Sequence, residues 1–152
     1  MSPPVKADPE KVAQVILGES VGDGPRGMEF VASVLATRAK RRGTTLEQEA
    51  LRSALNERGV RVYQFTAAGR PDLAEFAQAQ PQLLQDAARL IAQDAMQPTY
   101  VPSYPNIEHY VTKGLFRQRD TLPSTHWLHK MDAVGTIGSH VALQQKPRPG
   151  RK

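Results

Sequence analysis

The chain has 152 residues, enough for one domain with a buried core, and its 23% charged and 39% hydrophobic residues describe a soluble globular protein. Cysteine is absent, which excludes disulfides and thiolate metal sites, and no apolar run approaches the roughly 18 residues of a membrane span. A formal net charge of +5 favours an anionic partner: nucleic acid, an acidic membrane surface or an acidic polysaccharide.

Residues 1–8 read as a flexible arm. Asp8-Pro9 then gives a helix N-cap with proline at the first position, and the predicted helix runs to about Glu19. Gly22, Gly24 and Pro25 make a turn. A second helix starts behind Pro25 and carries Met28, Val31, Ala32, Leu35 and Ala39 on one face. Its last turn holds Lys40, Arg41 and Arg42 before a Gly43 stop, so the Arg38–Arg42 cluster reads as a solvated helix end in preference to a nucleic-acid patch. A third helix is expected from a capping box at Thr44-Thr45-Leu46-Glu47, with Leu46, Ala50, Leu51, Ala54 and Leu55 as its stripe.

From Val60 to Thr66 the residues are β-branched and aromatic, which predicts a short strand or extended segment. Tyr63 and Phe65 alternate there with Gln64 and Thr66, so one set faces the core and the other a groove. Pro71 and Pro81 each begin a helical stretch. The second has Leu84, Ala87, Ala88, Ile91 and Ala95 in register and stops before Pro98. Residues 97–125 read as a long irregular segment, broken by prolines but too rich in aromatics for plain linker. A short helix around His126 to Met131 and an extended glycine-rich stretch from Gly135 to Ala142 follow. The organised domain spans 9–143, and 144–152 is a basic tail expected to be disordered. No internal repeat or second domain is visible.

The chemistry centres on Glu19. Val12, Val15 and Ile16 mark one helix face, and Glu19 stands at i+7 on that face, just before the Gly22-Asp23-Gly24-Pro25 turn. This places a carboxylate at the end of a buried stripe, at the rim of a cleft, where desolvation would let it hold a proton and act as a general acid. The rival reading turns Glu19 outward at a frayed helix end. His126 and His129 stand at i, i+3 on the short helix, but a zinc site needs three such ligands and a water. No His-Glu-x-x-His run exists, so the four histidines read as structural, with no metal and no cofactor. Trp127 reads as a core or cleft-wall anchor.

Four pieces in order resemble the cell-wall hydrolase family of the spore-cortex-lytic enzyme type. They are Ile16-Leu17-Gly18-Glu19-Ser20 with the helix from Gly27 to Leu35, then Gln64-Phe65-Thr66, then His109-Tyr110 ahead of Trp127, and finally Ile137-Gly138-Ser139-His140. The order holds across residues 11–143. The chain has Ala36-Thr37-Arg38-Ala39 where the family usually reads Leu-Asn-Arg-Val, and a longer segment between His109-Tyr110 and Trp127.

The resemblance implies an α+β, mainly helical, lysozyme-like fold with a small β-sheet beside the catalytic cleft. It implies Glu19 as the acid that cleaves the bond between N-acetylmuramic acid and N-acetylglucosamine, as a lytic transglycosylase or muramidase. Gln64, Phe65, Thr66, His109 and Tyr110 are the implied substrate-binding residues. Of these, Gln64 and Thr66 are expected to bond sugar N-acetyl groups or orient Glu19, and Tyr110 to stack on a sugar ring. Ordinary glycosidases flank the bond with two carboxylates. Asp23, Glu29 and Glu108 are available, yet Glu29 lies off the apolar stripe and Asp23 sits where a helix cap is expected, so a single carboxylate favours transglycosylation over hydrolysis. The expected partner is the peptidoglycan glycan strand, met by a monomer without membrane insertion or nucleic acid. The opening Met1-Ser2-Pro3-Pro4-Val5-Lys6 lacks a secretory h-region, which suggests a phage-type protein delivered by holin release or in a virion. The alternatives are a basic nucleic-acid-binding module and a murein-binding protein without turnover.

Overall fold

A computed structural model describes residues 8–146, so residues 1–7 of the expected arm and 147–152 of the expected tail lie outside the described residues. The fold is α+β. Helix α1 (Pro9–Glu19) starts as its sequence dictates: the Asp8 side chain accepts from the Glu10 backbone N–H, and Pro9 sits where no amide partner is needed. It buries Val12, Val15 and Ile16.

Helix α2 (Gly24–Arg42) runs through the middle of the molecule and is buried on two faces. Met28, Val31, Ala32 and Leu35 pack into one core with α1 and with the alanines of α5 (Gln82–Ala95). Phe30 and Val34, on the other side, meet Ile107, Ile137 and Ala142 in a second core. The stripe read from sequence marks only the first of these two buried faces.

Helix α3 (Leu46–Ala50) is shorter than expected, and its capping box is Thr45 with Gln48, one residue later than the Thr44–Glu47 reading. Instead of continuing, residues Ser53–Leu55 form strand β1, paired antiparallel with β2 (Arg61–Tyr63). The turn between them explains the change. Asn56 Oδ1 accepts from the Arg58 and Val60 amides, a local closure that competes with helix and fixes a hairpin. The expected helical stripe at Ala54 and Leu55 is accordingly exposed.

Both proline-initiated stretches are helices: α4 (Leu73–Gln78) and α5. Within the segment expected to be irregular, β3 (His109–Thr112) and α6 (Lys113–Arg117) are regular. The expected helix at His126–Met131 is one 3-10 turn over Trp127–Lys130. Strands β4 (Met131–Ile137) and β5 (His140–Gln145) form a hairpin, and the sheet order is β3-β5-β4, antiparallel throughout. Strand β5 continues two residues past the expected domain end at 143. Behind this sheet, Val111, Val141 and Leu143 pack with Leu128 in a third core. Among the described residues no helix is long and apolar enough to cross a membrane.

Candidate active site

A cleft of about 740 Å³ opens between the end of α1, the segment Gln64–Thr66 and the face of β3. Glu19 lies in it, half-buried at the last position of α1. Its carboxylate is held at both oxygens. The Tyr110 hydroxyl donates to Oε1 at 2.6 Å, and the Ala67 backbone N–H donates to Oε2 at 3.1 Å. The first donor is 91 residues away in sequence and the second 48.

The Ala67 donor reaches Glu19 because a 3-10 turn, Thr66–Gly69, presses against α1 at Gly18. A Cβ on Gly18 would stand 2.6 Å from the Ala67 Cβ, so only glycine lets turn and helix meet this closely. The Gly18-Glu19 pair is therefore one device: the first residue admits the turn and the second uses its amide.

Tyr110 is partly buried and lines the cleft, with its hydroxyl turned to Glu19. Its ring is packed among Phe30 at 5.5 Å, Phe65 at 6.3 Å and the edge of His140 at 4.7 Å between centroids. Burial first, and the Glu19 carboxylate beside it second, push the phenol pKa well above the ordinary tyrosine range. It therefore stays a neutral hydroxyl, able to donate to an ionised Glu19 or accept from a protonated one.

Behind it stands a support that the sequence did not suggest. Asp23 was expected to cap α2, but its side chain makes no cap bond. Its Oδ1 accepts from the Ser139 amide at 3.0 Å, its Oδ2 accepts from the Ser139 hydroxyl at 2.7 Å, and Oδ2 lies 3.2 Å from His140 Nδ1. The β4–β5 turn is thus pinned to the start of α2, and buried His140 is held against the Tyr110 ring.

The remaining site residues divide. Gln64 and Thr66 are exposed along the cleft, whereas Phe65 is buried beneath it, the alternation that the pattern at 63–66 predicts. Gln64 Oε1 accepts from Arg42 at 3.1 Å, so Arg42 presents it; neither Gln64 nor Thr66 orients Glu19, which the Ala67 amide does. Phe65 forms floor instead of a contact surface. His109 lies at the cleft wall with Nδ1 2.8 Å from Arg38 Nη2. Burial, then the Arg38 charge, lower its pKa, and the neutral ring accepts the arginine hydrogen bond.

Arg38 departs from the local reading, and Trp127 takes the cleft-wall place expected of it. Arg38 is not at a solvated helix end: it is 6% exposed and lines the cleft. Lys40 and Arg41 are exposed as a solvated helix end should be, Arg41 pairs with Glu108, and Arg42 pairs with Glu49. Trp127, 42% exposed on the cleft wall and stacked on His126 at 5.7 Å between centroids, presents the more open aromatic surface. Position 38 falls at i+3 from Leu35 on the buried face of α2, a cue to its burial.

Each histidine has a structural neighbour. His126 Nδ1 caps the Trp127 turn by accepting from Leu128 N–H, and His129 Nε2 is 3.3 Å from the Leu122 carbonyl oxygen. Among the described residues no three metal-ligating side chains converge. Compared with known proteins, the chain matches no family model, no curated protein and no solved structure.

Proposed function

We propose that this chain cleaves the glycosidic bond between N-acetylmuramic acid and N-acetylglucosamine in peptidoglycan, by lytic transglycosylation on a lysozyme-like fold. One observation carries the reading: of the two carboxylates lining the cleft among the described residues, Glu108 is paired with Arg41, and Glu19 is left with no cation. Asp23 and Glu29 do not line the cleft. A single free carboxylate suits a reaction in which the sugar supplies its own nucleophile.

In that reaction protonated Glu19 gives its proton to the glycosidic oxygen as the bond from the anomeric carbon breaks. The C6 hydroxyl of the muramoyl residue attacks the same carbon and returns its proton to Glu19, closing a 1,6-anhydro ring. Holding that hydroxyl close replaces a positioned water and its second carboxylate. The Tyr110 hydroxyl follows the change of Glu19 from acid to base by exchanging donor and acceptor roles, and the Ala67 amide keeps Oε2 in place. Trp127 supplies the stacking surface, and Gln64 and Thr66 supply hydrogen bonds to sugar substituents.

The test is digestion of purified murein followed by mass spectrometry of released muropeptides. Products lighter by one water mark transglycosylation; reducing ends would mean hydrolysis. Glu19→Gln is expected to lose at least about 100-fold in rate. Binding to sacculi with no released muropeptides would instead select a murein-binding protein without turnover.

A further inference from the structure

Arg38 carries a charge that the described residues leave unbalanced. It is 6% exposed, it lines the same cleft as Glu19, and its Nε is buried with no hydrogen-bond partner. Its Nη2 meets only the Nδ1 of His109, and its carbon lies 5.3 Å from the centre of the Phe65 ring. Neither neighbour is an anion. The two carboxylates near enough to act on it are engaged elsewhere, Glu49 with Arg42 and Arg52, and Glu108 with Arg41. A guanidinium this deep is costly unless something charged completes it, and no residue among those described does so.

We propose that Arg38 and His109 form a carboxylate-binding subsite in the cleft, which takes the acidic substituent of the sugar seated beside Glu19. A guanidinium forms charge-assisted hydrogen bonds to a carboxylate, and neutral His109 holds Nη2 without competing as a cation. Trp127, its ring 5.9 Å from that of His109, gives the sugar carrying the acid a surface to lie on. Only the identity of the carrier rests on the peptidoglycan reading. There the carboxylate belongs either to the lactyl group of muramic acid or to the stem peptide, two sources of one chemistry.

The experiment is titration of the full chain, followed by NMR shifts, with N-acetylmuramic acid, N-acetylglucosamine and an N-acetylmuramoyl peptide ending in a free carboxylate. N-acetylmuramic acid, if the lactyl acid is read, or the muramoyl peptide, if the stem acid is read, is expected to bind about tenfold or more tightly than N-acetylglucosamine, the size of a charge-assisted bond. Arg38→Met should erase that preference while leaving N-acetylglucosamine binding as it was, and Arg38→Lys should keep part of it. The muramoyl peptide, whose lactyl group is amidated, keeps the preference if the stem acid is read and loses it if the lactyl acid is read. The preferred acidic ligand should also raise the melting temperature of the wild type and not of Arg38→Met. No preference in the wild type for either acidic ligand over N-acetylglucosamine, or a preference surviving in Arg38→Met, overturns the subsite. So does a merely structural arginine, which would show as a lower melting temperature and equal loss of both sugars. None of these readings needs turnover. Wild-type protein that releases no muropeptides sinks the glycosidase reading, while the carboxylate preference is decided by binding alone.

Discussion

Glu19 is held by two donors of different kinds, and they should fail differently. The Ala67 amide is backbone and cannot be removed by mutation, but the Tyr110 hydroxyl can. Hydrogen bonds to a charged partner contribute about 1.5–3 kcal/mol, so Tyr110→Phe is expected to lower kcat about tenfold or more. KM should stay near its wild-type value, because the substitution removes only the hydroxyl that faces Glu19 and leaves the ring in place. A large KM change would return Tyr110 to sugar contact. His109 gives a second test. Its pKa in the folded chain lies below the ordinary 6.5, from burial and then from Arg38, so the unfolded chain binds its proton more readily. The stability it contributes is therefore complete above pH about 6.5 and falls as pH drops through the folded value. His109→Gln should flatten that part of the curve of melting temperature against pH.

Among the elements, the β4–β5 hairpin contributes most to the site without lining much of it. Its turn residue Gly138 has φ +58°, and a Cβ there would come within 2.5 Å of Asp23 Oδ1. Gly138→Ala is therefore expected to cost about 1–3 kcal/mol in urea unfolding, and to loosen His140 from the Tyr110 ring. Activity should fall further than stability alone accounts for. The β1–β2 hairpin shows how such elements escape a periodicity argument. Ala54 and Leu55 extend the α3 stripe by spacing, yet the helix ends at Ala50 and the Asn56 side chain closes a hairpin turn that holds them in β1.

For the molecule as a whole, α2 is the shared wall between the helical core and the sheet. Phe30 is fully buried there, edge-on to Tyr104 at 5.2 Å and against Tyr110. Phe30→Ala is expected to destabilise by about 3–5 kcal/mol, as a large cavity in a packed core does. Because α2 belongs to both cores, denaturation should remain a single transition, checked by coincident far-UV and near-UV circular dichroism. Two separate transitions would show that sheet and helices fold independently.

The order of helices, the caps at Asp8 and Gly43, and the place of Glu19 at the end of a buried stripe all follow from stretches of a dozen consecutive residues. Helical periodicity is a local property, so it can be read without knowing what lies opposite. The burial of Phe65 between exposed Gln64 and Thr66 was legible for the same reason. The donors to Glu19, the depth of Arg38 and the pinning of Asp23 to Ser139 were not, because each depends on a partner between 48 and 116 residues away. Strand β3 belongs with these: four residues long, it is fixed by pairing with β5 and not by any pattern of its own. A cleft is where distant segments meet, and the contacts made there are set by packing that no single window of the chain contains.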